Sequence, residues 1–218
     1  MSEVDSFIDE VTEEVRRDKL FAAFRKYGWI AILAVVLLVG GAAWKEYSAA
    51  QQKASAQAFG DAVLAAQSKD KPEAVYKALT AIKTQGAQVA VADLLAAAEA
   101  EKAGDTKAAL ARLDAVAGDN TLPRAFRDLA LLKKVTLAGD AMSADQRNQV
   151  LAALSQPGRP YRPLALEQLA LMAVKAGKTK DAIAQFAKIA QDAGVTPGLR
   201  QRATQMIVAL GGAPTAAG

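Results

Sequence analysis

Residues 169–197 read LALMAVKAGKTKDAIAQFAKIAQDAGVTP, and they carry the clearest structural pattern in the chain. Gly177 lies where a first helix is expected to end, because glycine readily adopts the left-handed conformation that closes a helix. After a short turn, Ala182, Phe186 and Ile189 recur at helical spacing and form one apolar face. The stretch therefore predicts two helices joined by a tight turn.

The same pattern recurs upstream. Ala-Gly pairs at 103–104, 138–139 and 176–177 each precede a short turn and a second helix. The apolar face of one second helix reappears 73 positions later in another, which is close to two repeat units of about 34 residues. The six positions predicted to pack the repeats are Ala109, Leu113, Val116, Ala182, Phe186 and Ile189.

Composition and helix signals predict an all-α fold over residues 47–210. Aromatic residues are only 6% of the chain, and alanine supplies much of the apolar fraction, which favours closely packed helices over strands. First helices are predicted at 47–68, 87–103, 122–138 and 162–177, second helices at 72–85, 105–117, 144–155 and 179–193, and a covering helix at 196–210. Stacked helical hairpins of this kind form a solenoid.

An uncharged apolar run, GWIAILAVVLLVGGAAW, occupies residues 28–44. Its length is at the lower edge of what a bilayer-spanning helix needs, so we predict a single transmembrane helix over 28–46. Tyr27, Trp29, Trp44 and Tyr47 bracket the run and are predicted to anchor it at the two membrane interfaces. Nothing in the sequence breaks the helix before Phe59, so we expect it to continue out of the membrane.

The flanking charges predict the orientation of this helix. Five basic residues precede the run within residues 16–26, whereas only Lys45 and Lys53 follow it closely. The more basic side is expected to stay in the cytoplasm, which would place the C-terminal repeats in the periplasm. A signal peptide cleaved near Gly41-Ala42-Ala43 is the alternative. The long acidic segment before the run favours a retained anchor.

Two terminal segments flank these predicted units. Residues 1–27 carry apolar positions at helical spacing, with acidic residues first and basic residues later. They are either an amphipathic helix on the inner leaflet or a partly ordered tail that sets topology. Residues 211–218 are small and contain a proline, and they are predicted to be a disordered tail.

The residue types restrict the chemistry that the chain can perform. With no Cys and no His, nucleophile–histidine systems are excluded and the commonest zinc ligands are missing. Basic residues are scattered with almost no aromatics beside them, which argues against nucleic-acid binding. Glycine pairs lie outside any strand–loop–helix context, so no phosphate-binding loop is expected. We therefore predict no enzyme activity, no cofactor, no metal and no small-molecule substrate.

The stretch 169–197 resembles a tetratricopeptide repeat. Ala170, Ala173, Ala182, Phe186 and Ile189 fall at the small and large packing positions of that motif, although its usual Trp, Leu and Tyr landmarks are missing. First helices line the concave side in this repeat class. The resemblance therefore implies a partner-binding face, with the candidate residues Arg124, Arg127, Arg162, Glu167 and Gln168.

The layout of nearly the whole chain also resembles the bacterial ancillary SecYEG translocon subunit family. That family has a short cytoplasmic segment, one anchor and a degenerate tetratricopeptide-like periplasmic domain. The resemblance implies an inner-membrane protein whose partners are the Sec channel and periplasmic chaperones. A cell-envelope assembly adaptor and an accessory subunit of another inner-membrane complex are the alternative functions.

Overall fold

A computed structural model describes the backbone of residues 3–213 and the side chains of residues 25–30 and 32–213. Side chains of the predicted amphipathic face before residue 25 therefore lie outside the described residues, as do residues 214–218 of the predicted tail. The helices are α1 Glu3–Gln67, α2 Pro72–Thr80, α3 Ala87–Lys102, α4 Thr106–Gly118, α5 Arg124–Ala138, α6 Ala144–Leu154, α7 Arg162–Lys175, α8 Thr179–Gln191 and α9 Pro197–Ala209. Residues 3–213 contain no strand, and the all-α fold class is confirmed.

The chain divides into two compact units, one ending at Ala58 and the other beginning at Phe59. The first unit contains the apolar run and most of α1, which is a single helix through residues 44–59, as predicted. The second contains the end of α1 and helices α2 to α9. The boundaries at residues 27 and 46 stay a prediction.

Helices α2 to α9 pack mainly on the helices directly before and after them in sequence. The first helices α3 and α5 also touch each other across the hairpin between them. Near-neighbour packing of this kind is the defining property of a solenoid, in which each repeat buries its apolar face on the next.

Local sequence signals account for the helix ends. The Asp105 carboxylate accepts a hydrogen bond from the Ala108 backbone N–H at 2.9 Å and caps α4. Ser143 and Gln146 form a reciprocal capping box at the start of α6. At Gly104 and Gly177, φ is +80° and +71°, which other residues rarely adopt, so these glycines can end the first helices as predicted.

The second helix predicted at 72–85 is shorter than expected. Helix α2 ends at Thr80, and the Ile82 backbone N–H instead bonds the Leu79 carbonyl, three residues back. Bonds of this type tighten the last turn of a helix and end it. The chain then reaches α3 through Gly86, whose positive φ of +55° is not helical.

Small side chains dominate the core of the second unit. Alanines at 90, 96, 109, 130, 165, 170 and 182 are fully buried, so neighbouring helices approach closely. Leucine, valine and isoleucine fill the wider spaces between them, and Phe186 is the largest fully buried side chain. The six predicted packing residues all lie in this core: Ala109, Leu113, Val116, Ala182, Phe186 and Ile189.

A polar contact joins the first three helices of the second unit. The Arg112 guanidinium of α4 lies 5.7 Å from the centre of the Tyr76 ring of α2 and donates to the Asp93 carboxylate of α3 at 3.1 Å. The hydrogen bond to Tyr76 is the largest contribution that raises the pKa of Arg112. Cation–π contact and ion pairing at one guanidinium favour a fixed arrangement of three helices.

Candidate partner-binding grooves

The first helices α3, α5 and α7 enclose a groove of about 310 Å³, which we name the inner groove. Helix α4 contributes one side chain to its floor. The lining residues are Ala97, Ala98, Glu101, Leu113, Leu132, Lys133, Thr136, Leu137, Leu164, Glu167 and Gln168. First helices therefore line a concave surface, as the tetratricopeptide resemblance implied.

Two different kinds of side chain form the inner groove. Its floor is apolar, whereas Glu101, Lys133 and Glu167 add charged side chains to its lining. The Glu167 carboxylate is bound by Arg202 of α9, a residue that does not line the groove. Nε and Nη2 of Arg202 donate to the two carboxylate oxygens of Glu167 at 2.9 and 3.1 Å. This bidentate pair raises the pKa of Arg202 and fixes the orientation of the Glu167 carboxylate.

Helices α6, α7 and α8 enclose a second and larger groove of about 840 Å³, which we name the basic groove. Its lining residues come from all three helices and from the chain next to α8. They are Ala144, Arg147, Asn148, Arg162, Leu166, Leu169, Met172, Ala173, Lys175, Ala176, Lys178, Asp181, Gln185, Lys188 and Asp192. Five of them are basic and two are acidic, so the groove carries an excess of positive charge.

Ion pairs hold part of the basic groove in place. The Asp140 carboxylate accepts from Lys175 Nζ at 2.6 Å and lies 3.3 Å from Arg147 Nη2. The Arg162 guanidinium donates to Asp192 Oδ2 at 2.8 Å. The Lys175 hydrogen bond is the main cause of a lowered pKa at Asp140. At Asp192 the backbone N–H of Gly194 and then Arg162 lower the pKa.

The five residues predicted for one binding face lie in three places. Glu167 and Gln168 line the inner groove, and Arg162 lines the basic groove. Arg124 lies exposed at the start of α5, and Arg127 donates to the Asn120 side chain at 2.7 Å, so neither lines a groove. The structure therefore does not bring the five together.

Sequence reasoning missed four of the basic residues of the larger groove. Arg147 is on α6, Lys175 ends α7, Lys178 precedes α8 and Lys188 is near the end of α8. A run of positive charge would have been visible in the sequence, but these residues are spread over 42 positions from 147 to 188. Only helix packing brings them to one surface.

The apolar run of α1 is uncovered. Within the part of the chain that the structure describes, residues 25–67 contain the one helix that is long and apolar enough to cross a membrane, by length and composition. The predicted interface residues Tyr27, Trp29, Trp44 and Tyr47 are all exposed on it. The Trp44 and Tyr47 rings lie 6.4 Å apart, centre to centre.

The described residues offer no cluster of three or more His, Cys, Asp or Glu side chains that could hold a metal ion. Asp128 is the one buried charged residue among them, and its Oδ1 accepts from Arg159 Nη1 at 2.7 Å. This pair fastens the loop before α7 to α5, which is a structural use of a carboxylate.

Comparison with protein families matches residues 24–206 to the model of the tetratricopeptide repeat-like domain. Comparisons with curated proteins and with solved structures found no significant match. Domains of this family mediate protein–protein interactions and are typically non-catalytic scaffolds. Because the matched region covers most of the sequence, the chain belongs to the family of tetratricopeptide repeat-like domains.

Proposed function

We propose that the chain is a membrane-anchored scaffold that binds other proteins through its repeats. The observation that carries the proposal is the inner groove, where three successive first helices present an apolar floor with a few charges at its side. Grooves of this composition suit the apolar face of a peptide helix or an extended segment, with the charges selecting the partner.

The anchoring part of the proposal rests on α1. Its apolar side chains at residues 29–30 and 32–44 are exposed, which is unfavourable in water and favourable in a bilayer. We place residues 28–46 across a bacterial inner membrane, residues 1–27 in the cytoplasm and the repeat domain of residues 47–210 in the periplasm. The excess of basic residues before the run supports this orientation.

Within this scaffold function, we assign the chain to the Sec translocon as an accessory factor that links export to periplasmic chaperones. The support is the resemblance of its layout to the ancillary SecYEG translocon subunit family. A tethered repeat domain would meet emerging chains at a high effective concentration, so weak binding would be sufficient.

Photocrosslinking in cells tests the partner. A crosslinking amino acid at Gln168 or Lys133 places the probe in the inner groove, and the same amino acid at Lys107 or Gln205 gives exposed controls outside both grooves. We expect the groove positions to capture the Sec channel or periplasmic chaperones and the controls to capture neither. Capture of cell-wall or outer-membrane assembly proteins would replace the export function by an envelope adaptor. Capture of a different inner-membrane complex would indicate an accessory subunit of that complex.

Cysteine labelling tests the orientation. The sequence contains no cysteine, so a single introduced thiol is the only reactive one. A membrane-impermeant maleimide added to intact spheroplasts should modify Ser68→Cys in the repeat domain and leave Ser6→Cys unmodified until the membrane is permeabilised. Immediate labelling of Ser6→Cys would overturn the proposed topology.

A further inference from the structure

We propose that the basic groove binds acidic amphipathic segments of partner proteins, in which carboxylates flank a row of apolar side chains. The inference rests on the proposed scaffold function and names a second binding surface, different from the inner groove. Three features of the surface enclosed by α6, α7 and α8 support it: an excess of positive charge, the Arg147 guanidinium that shares Asp140 with Lys175, and an apolar floor.

The basic groove carries more positive than negative charge. Of the five basic residues that line the groove, Arg162 is paired with Asp192, and Arg147 and Lys175 share Asp140. Within residues 25–213, neither Lys178 nor Lys188 forms an ion pair, and both are exposed. Among the same residues, Asp181 also lines the groove without an ion pair, so Asp140, Asp181 and Asp192 set against the five basic residues leave a net charge of +2, which favours a partner that brings carboxylates.

The Arg147 guanidinium is only partly satisfied. Arg147 Nη2 points to Asp140, but its Nε is buried and has no hydrogen-bond partner among the described residues. Leaving a charged donor unsatisfied costs free energy, so a buried guanidinium N–H without an acceptor deserves a specific explanation. Nε itself is out of a partner's reach, but Arg147 and Lys175 share the single carboxylate of Asp140, which leaves a net positive charge that a partner's carboxylate can approach.

The floor of the groove is apolar. Leu166, Leu169 and Ala173 line it at intervals of three and four residues, so one face of α7 is presented along it, and Ala176 just after the helix continues this row. Met172 lies beside this row and adds an adaptable side chain. With about 840 Å³ of space, the groove has the size of a ligand-holding cleft. An apolar floor between basic rims matches an amphipathic segment better than a purely acidic one.

Binding to the full chain in detergent micelles provides the test. The probe is a fluorescein-labelled helical peptide of Glu, Leu and Ala, and the matched peptides replace Glu by Lys or Leu by Ser. We expect the acidic amphipathic peptide to bind, the Lys peptide to show no binding and the Ser peptide to bind more weakly. Affinity should fall as salt rises, because the contacts depend on charge. Equal binding of all three peptides would overturn the inference.

A pair of variants locates the site. Lys178→Glu with Lys188→Glu reverses two of the five basic charges of the groove and should weaken peptide binding by about tenfold or more, since charge-assisted contacts are lost and repulsion is added. Lys69→Glu with Lys107→Glu is the matched control, because both residues are exposed outside the groove and the change in net charge is the same. Equal loss of binding in both variants would place the effect in overall charge and overturn the inference.

The inference and the proposed function can fail separately. Inner-groove crosslinks to partner proteins, together with no binding of the acidic peptide, would leave the scaffold intact and overturn the basic-groove assignment. Peptide binding without any crosslinked partner would support the basic-groove assignment and contradict the proposed scaffold function of the inner groove. If anionic lipid vesicles protect Lys178 and Lys188 from acylation and the peptide does not, the groove contacts lipid and the assignment to a protein partner is wrong.

Discussion

Leucine has two opposite environments in this chain. Leu37 and Leu38 of α1 expose 66% and 74% of their surface, whereas Leu79 and Leu113 of the repeats expose 1% and 2%. Burying a leucine side chain lowers the free energy of the folded state by about 1.5–3 kcal/mol. The buried leucines of the repeats gain this stabilisation by packing on neighbouring helices, whereas those of the apolar run do not gain it within their unit. The contrast supports the proposed anchor, because a bilayer would surround the apolar run with the apolar environment that its own unit does not supply.

Phe186→Ala, in the buried core of the repeats, should produce the largest effect on stability. The side chain is fully buried in the cluster formed by α7, α8 and α9, so truncation should lower the free energy of unfolding by about 3–5 kcal/mol. Denaturant unfolding of the full chain in detergent would measure it. The control is Val208→Ala, whose side chain is 52% exposed on α9 and should matter little. Equal losses would contradict the assigned core.

Leu37→Arg, in the exposed apolar run of α1, should produce the next largest effect, on membrane association. An arginine at the centre of a spanning helix costs about 2.5–3.5 kcal/mol on insertion scales, so a larger fraction of the chain should be extracted from membranes by alkaline carbonate. The unfolding of the repeats should stay unchanged. Gln51→Arg, exposed on the same helix outside the apolar run, is the control. Unaltered membrane association of Leu37→Arg would refute the anchor.

Ion pairs in the chain also differ in how deeply their side chains are buried. The carboxylate of Asp128 is 3% exposed beside Arg159, so Asp128→Ala should lower the free energy of unfolding by about 1–3 kcal/mol. The exposed pair formed by Lys175 and Asp140, whose side chains are 63% and 69% exposed, should contribute much less, because water and salt screen the attraction between exposed charges. Double-mutant cycles on both pairs would measure the two coupling energies. A larger coupling at the exposed pair would reverse the comparison.

The smallest expected effect concerns pH. Lys175 holds the pKa of the exposed Asp140 below its ordinary value in the folded chain. A lowered folded pKa contributes stability above the unfolded pKa of about 3.9, and this stability is lost as pH falls through the folded value. Asp140→Asn should therefore show a slightly smaller drop in Tm than the unchanged chain when pH is lowered from about 7 to about 2. An equal drop would show that the pair contributes nothing to acid sensitivity.

Most of the fold could be predicted because its signals are local. Gly104 and Gly177 end helices through backbone conformations that other residues rarely adopt, and Phe186 and Ile189 identify a buried face by spacing alone. The end of α2 was missed because no glycine or proline marks Thr80, and the helix closes through tightened backbone hydrogen bonds.

The residues predicted for one partner-binding face do not share one groove. Glu167 and Gln168 were placed on the concave side by analogy with the repeat class, and both line the inner groove. Arg124 and Arg127 were named on the same resemblance, as residues of a first helix, but their positions at the start of α5 keep them outside both grooves. Residue type and helix assignment do not specify which turn of a helix faces a groove.

The amino-acid sequence alone determined the helical repeats and the apolar run, since both depend on interactions within a few residues along the chain. Glycine conformation, helical spacing and the length of an uncharged stretch are properties of single segments. Only the tertiary structure decided that Arg147, Lys178 and Lys188 share one groove and that Arg202 reaches Glu167. Such contacts join residues on different helices, and they depend on packing distances and angles that no single segment encodes.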